Sequence, residues 1–344
     1  APRVGFATVK NGSPRLTAEL GATEFGGTLV PAKVSASKIS FDGTSGDGGL
    51  SGDIAGTGVL VCDFRDDPMY QPLLADLTAT LDQGRLQAAG PFRLKSNNAP
   101  IGDFTLDVNV LRLDGTARVT TRALDFRKSG LQPVMLSERL RGVYTDAVGR
   151  IEAASDVAIN GGQLDGTADI TVTDFGFQTT RLGRVQGVNG HVRFADLFDL
   201  VTAPSQVLQI GGLNPGVPLE DGQITFSYAG SDGLTVDSAS FPFSGGELAL
   251  APFHWTPGAP TQHIEVTAKA IDLADLVRTL KLPKIEAEGT VTGRFPIDFE
   301  GTKVLITDAH LFADPRGGRV AYLGDAADSA AKSDANVRMA FEAL

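Results

Sequence analysis

Along most of the chain apolar and polar residues alternate one by one, the period of a strand with one dry and one wet face. Phe104, Leu106, Val108 and Val110 are apolar where Asp103, Thr105, Asp107 and Asn109 are polar. Ala117 and Val119 stand against Arg118, Thr120 and Arg122, and Ile151, Ala153, Val157 and Ile159 are followed by Ala168, Ile170 and Val172. Further on, Ile224, Phe226 and Tyr228 alternate with Thr225 and Ser227, and Ile264, Val266 and Ala268 with Glu265, Thr267 and Lys269. The clearest run sets Val291, Gly293, Phe295, Ile297 and Phe299 against Thr292, Arg294, Asp298 and Glu300. Each run predicts a strand. Asp-Gly pairs begin at Asp42, Asp47, Asp114, Asp165, Asp221 and Asp232, and Asn-Gly pairs at Asn11, Asn160 and Asn189. Both dipeptides suit two-residue hairpins, whose central positions need positive φ, so they predict turns between antiparallel strands.

Helical spacing is rare. Leu273, Leu276, Val277 and Leu280 fall on one face, with Asp272 as N-cap and Pro283 just past the end, which predicts one short amphipathic helix. A shorter helix is predicted over Leu136 to Leu140, and another near the C-terminus, where Val337, Ala340, Phe341 and Leu344 share a face. That last stripe reaches the final residue, so the natural protein is expected to continue past Leu344. The Gly-, Ser- and Asp-rich stretch from Phe41 to Gly58 reads as the loosest part. No fixed repeat and no linker-like segment divides the chain, so residues 1–344 read as one continuous antiparallel β assembly.

Composition fits this picture. Glycine supplies 41 of 344 residues, well above the usual ~7%, without the every-third spacing of collagen. The net charge of -11 disfavours polyphosphate or anionic surfaces, and the densest basic stretch, Arg122 to Arg141, also holds Asp125 and Glu138. One cysteine, Cys62, allows no internal disulfide and leaves the compartment open. No run approaches the ~18 apolar residues of a membrane span, and no charged-then-apolar leader precedes Ala1.

Catalytic and cofactor motifs are absent. The G-x-G pairs Gly46/Gly48 and Gly56/Gly58 lack the third glycine of a dinucleotide fingerprint, having Ser51 and Val61 there. His191, His254, His263 and His310 are scattered and read as solvated or hydrogen-bonded strand residues. A zinc site needs three or four ligands, and nothing completes one around His254 and His263. Carboxylates stand at turns or on wet faces, so a convergent pair for glycoside hydrolysis has no sequence signal, and the single Trp255 offers little platform for sugars. No metal, no cofactor and no enzyme activity are expected. What remains is a large aliphatic β surface. Either a second sheet closes on it as a sandwich core, or the sheet curls into a trough whose dry face lipid completes, and periodicity alone does not separate the two.

From about Leu182 onward particular segments carry a resemblance. They are Gly187 to Leu197 (GVNGHVRFADL), Leu213 to Gly222 (LNPGVPLEDG), Phe241 to Leu248 (FPFSGGEL), Ile271 to Leu276 (IDLADL), Gly289 to Ile297 (GTVTGRFPI) and Asp314 to Tyr322 (DPRGGRVAY). In this order they resemble the C-terminal region of the YdbH family, relatives of AsmA-like and TamB envelope proteins. The likeness covers residues 131–344 and is faint over 1–130. It implies a mainly β fold, an elongated antiparallel sheet curled into a hydrophobic groove of AsmA-like kind with a few short helices. It further implies non-enzymatic transport of phospholipid across the periplasm between inner and outer membranes. In the full-length protein an inner-membrane anchor would tether the chain, and an outer-membrane or periplasmic protein would be a partner. Under this resemblance Phe226, Ile264, Val266, Val291, Phe295, Ile297 and Phe299 would line the groove and touch acyl chains. A second expectation is a β-scaffold that assists outer-membrane protein assembly through its strand edges.

Overall fold

In a computed structural model the described residues are 3–7, 15–26, 32–46, 49–63, 65–141, 145–179, 183–256, 258–300 and 303–323. Strands take up 72% of the described residues and helices 6%, which settles the mainly β class. The chain divides into two compact units, residues 1–179 with 189–203, and residues 180–188 with 204–344.

The first unit holds β1 (Arg3–Ala7), β2 (Arg15–Gly26), β3 (Ala32–Gly46), β4 (Gly49–Asp63), β5 (Leu73–Asp82), β6 (Arg85–Leu94), β7 (Pro100–Asn109), β8 (Asp114–Thr121), β9 (Leu124–Phe126), β10 (Thr145–Asn160) and β11 (Gln163–Thr179). Chain neighbours pair antiparallel from β1 to β8, and β10 then pairs with β8, β9 and β11. The strand β12 (Gly183–Asp196) passes from the second unit into the first and pairs there with β13 (Val201–Thr202).

The second unit holds β14 (Gln206–Leu213), β15 (Leu219–Tyr228), β16 (Leu234–Phe243), β17 (Gly246–Leu250), β18 (Phe253–Trp255), β19 (Thr261–Asp272), α1 (Leu273–Thr279), β20 (Ile285–Glu300), β21 (Lys303–Ile306) and β22 (His310–Tyr322). Here β14 pairs with β15 and β15 with β16; β16 then pairs with both β17 and β18, β17 with β19, β19 with β20, and β20 with both β21 and β22.

The predicted strands all form. The helix at Leu273 forms as well, with the Asp275 N–H donating to Asp272 Oδ1 at 2.8 Å as the N-cap reading requires. Residues 136–140 differ from the prediction. They lie in and beside two 3-10 turns, Pro133–Met135 and Glu138–Leu140, closed by i to i+3 bonds from Leu136 N–H to Pro133 O and from Arg141 N–H to Glu138 O, both 2.9 Å. The stripe at Val337 to Leu344 lies outside the described residues.

The turn reading needs a larger correction. Asn160 and Asp232 do border turns, with positive φ at Gly161 (57°) and Gly162 (85°) between β10 and β11. Asp114 opens β8 just after a tip, and Asn11 and Asp47 lie outside the described residues. The glycines after Asp42, Asp165, Asn189 and Asp221, however, sit inside strands. There glycine serves close approach: a Cβ on Gly222 would fall within the Phe241 ring, and one on Gly166 would stand 3.0 Å from Phe198 Cε2. The strands are correspondingly long, 15 residues in β3 and β4 and 17 in β11, and the stretch read as loose, Phe41 to Gly58, is mostly one hairpin. Turns the dipeptides missed fall at Gln83-Gly84 (φ 48° and 91°) and Ser244-Gly245 (φ 43° and 74°).

Each unit has its own core. In the first, Leu94, Ile101, Leu124, Phe126 and Ala147 are buried, with Leu131, Met135 and Leu136 packed against them. In the second, Leu219, Phe241, Phe243, Ala268, Ile271 and Val291 are buried, with Leu273 and Leu276 of α1 laid on top. In each case a short helical segment seals one end of a dry sheet face.

The loop between β4 and β5 braces the first seal. Gln71 N–H donates to Leu136 O (2.8 Å), and Arg139 Nε pairs with Asp67 Oδ2 (2.8 Å). At its base the fully covered Asp63 carboxylate accepts from Arg65 Nε at 2.9 Å and from the Met69 N–H at 2.8 Å. The Arg65 guanidinium above all holds this carboxyl down at about 2. Its folded value lies below the unfolded one, so the stabilisation is complete above ~4 and lost as pH falls through about 2. Asp63→Asn is expected to lower stability at neutral pH, and its deficit against wild type should shrink as urea unfolding is repeated from pH 5 down to pH 2. A deficit constant across that range would mean that the carboxylate charge contributes nothing.

Candidate functional site

Register gathers the dry residues into rows. In the second unit one row crosses six strands as Leu208, Ile224, Ala239, Leu250, Val266 and Phe295. Beside it Ile264 pairs with Ile297, which pairs in turn with Ile306, and Phe299 stands opposite Gln262 with its ring 5.8 Å edge-on from Trp255. Six of the seven residues named from the resemblance thus come together on β19 and β20. Phe226 shares their face from β15, two positions along from Ile224 and opposite Val236. Val291 is only 7% exposed and belongs to the core that α1 covers, whereas Phe226, Ile264, Val266, Phe295, Ile297 and Phe299 are half-buried.

The first unit carries a row of the same kind that the named set did not include: Phe41, Ile54, Ala79, Ala88, Leu106, Ala117, Val157 and Gly166. Next to it run Leu81, Leu86, Val108, Ile159 and Leu164. Leu106, Ala117 and Val157 stand out in the alternation, but only pairing shows that Ile54, Ala79 and Ala88 join them. Rows interlocked between two sheets would be buried. Here, among the described residues, Ile54, Ala88, Leu106, Ala117 and Val157 are half-buried, and only Ala79 and Gly166 of this row fall below a tenth exposed.

The wet faces are ordered by charge. Arg118 Nη1 donates to Asp156 Oδ1 at 2.7 Å, Arg150 Nε to Asp125 Oδ1 at 2.9 Å, and Arg85 Nε to Asp107 Oδ1 at 2.8 Å. Arg85 first, then Gln87, holds the Asp107 carboxyl at about 2. His191, His254 and His263 make cross-strand hydrogen-bond contacts, with His263 Nδ1 2.8 Å from Asp298 Oδ1. Among the described residues no group of three or more His, Cys, Asp or Glu side chains is placed to hold a metal ion.

A concavity of about 1240 Å³ in the first unit crosses eight strands from β3 to β11. Its lining includes Asp42, Asp53, Asp107, Asp156, Asp165 and Arg118. The lining takes in the central row from Ile54 to Gly166 together with the residues that flank it on both sides, most of them polar, while Phe41, Leu86, Val108 and Ile159 lie outside it. Its volume exceeds the ~300–1,000 Å³ of ordinary ligand pockets. Chemistry outweighs volume here, because an acyl chain laid among those carboxylates would strip them of water at a cost of several kcal/mol. The dry rows are the chemically suitable surface for an apolar ligand.

Comparison with known families adds one match. A family model described as "YdbH-like: Intermembrane phospholipid transport protein YdbH" covers residues 2–344, including the first 130 residues, where the resemblance read from the sequence was faint. No curated protein and no solved structure matches the chain.

The two grades of burial on one face are separable. Phe241→Ala, in the sealed core, is expected to cost about 3–5 kcal/mol, and Ile297→Ala no more than about half of that, in urea unfolding monitored by circular dichroism. Equal losses would place Ile297 in a closed core.

Proposed function

The chain belongs to the YdbH-like family, and from that membership we propose that it carries phospholipid with the acyl chains lying along the dry faces of its strands and with no chemical step. The family's description supports intermembrane phospholipid transport in general. The observation that supports this mode of carriage is the half-burial of most residues in the in-register aliphatic rows, Ile54 to Val157 in the first unit and Leu208 to Phe295 in the second, where only Ala79 and Ala239 are buried.

The energetics suit a carrier. Each methylene taken from water is worth roughly 0.8 kcal/mol, so a 16-carbon chain gains on the order of 10 kcal/mol on an apolar face. Relative to a bilayer the gain is near zero, because both surroundings are hydrocarbon. A chain therefore moves on and off without being trapped, while its headgroup stays in water. In this reading Phe226, Ile264, Val266, Phe295, Ile297 and Phe299 touch acyl chains and Val291 supports them from below. In the first unit Ile54, Ala88, Leu106, Ala117 and Val157 do the same, and Ala79 supports them from below. Transport would run through the periplasm from an inner-membrane tether to the outer membrane. No helix among the described residues is long and apolar enough to cross a membrane.

Organic extraction of the purified protein followed by mass spectrometry should recover phospholipid, and delipidated protein should take up a labelled phospholipid. Leu106→Asp and Ile297→Asp should each reduce uptake by about tenfold or more, equivalent to ~1.4 kcal/mol, while the far-UV circular dichroism stays unchanged. A protein that neither carries nor takes up phospholipid, or folded variants that load as wild type does, would overturn the reading.

A further inference from the structure

The dry face of the first unit does not end alike at its two edges. At one edge lie the loops 65–72, 95–99 and 122–141, where Leu131, Met135 and Leu136 pack inward and, among the described residues, no large apolar side chain is exposed. At the other lie the tips between β3 and β4, β5 and β6, β7 and β8, β10 and β11, and β12 and β13. Among the described residues of this unit the exposed large apolar side chains are Leu50 (43%), Val110 (41%), Leu111 (79%), Leu113 (40%) and Phe198 (40%), and these stand on that second edge.

Leu50 continues the dry row of β4 outward beyond Ile54 and Gly52 with the two-residue period, and Val110 and Leu113 stand in the turn that joins β7 to β8, next beyond the row ends Val108 and Gly115. Phe198 lies over Gly166, the next member of the central row. The tips are also tied together in series. Gln83 N–H donates to Leu50 O (3.1 Å), Val110 N–H to Gly84 O (2.8 Å), Gly162 N–H to Leu113 O (2.9 Å) and Leu197 N–H to Gly166 O (2.8 Å). The edge is thus a braced apolar lip. Its nearby charges are Asp82, Asp114, Asp196 and Asp199 against Arg85 and Arg112, a balance that does not attract an anionic bilayer.

We infer that this lip is a side mouth, over which a phospholipid acyl chain passes between water or membrane and the dry face of the first unit. The inference rests on the acyl-carrier reading above. The continuity of the dry surface from Leu106 through Val108 to Val110 gives a sliding chain hydrocarbon contact at every step, whereas the opposite edge blocks it with the segment 131–136. A lip acts on rate, a carrier face on capacity.

The test loads delipidated protein from phosphatidylethanolamine vesicles containing a trace of fluorescent phosphatidylethanolamine, following the time course and the final occupancy. The double variant Leu111→Ser/Leu113→Ser should keep the wild-type final occupancy but load about tenfold more slowly, the effect of ~1.4 kcal/mol on a barrier. An unchanged loading rate would overturn the mouth while leaving the carrier reading intact. Failure of wild type itself to load would overturn both. A variant that loads normally but loses vesicle co-sedimentation would overturn the mouth in favour of a membrane-docking edge, and one that loads normally but loses self-association in sedimentation velocity would do so in favour of an interface between copies.

Discussion

The hydrogen-bond register between neighbouring strands is the constraint on which the molecule depends. Side chains alternate with a period of two, so a slip of one residue would exchange the faces of a whole strand. With strands of 15 to 17 residues, such a slip in β10 or β11 would bring Asp156 or Asp165 into the dry row and send Val157 to the wet one. The cross-strand pairs Arg118 with Asp156 and Arg150 with Asp125 are exposed and individually worth little. Their value lies in being satisfied in one register. The same register makes a continuous apolar surface out of residues that in sequence are scattered single aliphatics.

Burial on that surface is graded. Where the 131–136 segment or α1 lies on it, side chains such as Leu94 and Phe241 are almost completely covered and hold each unit together. Away from those seals most row residues are only half-covered, Ala79, Gly166 and Ala239 excepted. Stability and ligand contact are thereby assigned to different stretches of the same strands. The seals lie at strand ends, so a change there acts on folding, and a change in mid-row acts on the exposed hydrocarbon surface.

Much of the fold was legible because alternation is a local signal: each run read as a strand forms one, and the Asp272 cap and its helix are where spacing puts them. The turns were less legible. An Asp-Gly pair offers positive φ, but glycine is also the only residue that fits beneath a ring, and Gly222 under Phe241 is invisible until β15 and β16 are paired. Ala79 and Ala88 were missed among the dry residues for a related reason. Alanine gives weak contrast in a hydropathy pattern, and these two gain meaning only as neighbours of Ile54 and Leu106. The side mouth depends on exposure at the tips, which a sequence records merely as leucines near turns.

Pairing between chain neighbours has a consequence for how such a molecule is made. From β1 to β8 each partner lies one short loop away, so the entropy of closing each contact is small and contact order stays low for an all-β chain. A polypeptide delivered end first can add one hairpin at a time to a growing edge, without waiting for its far terminus. Large β proteins of sandwich topology must hold unpaired strands until distant partners arrive, and this chain, within that stretch, has no such interval in which to aggregate.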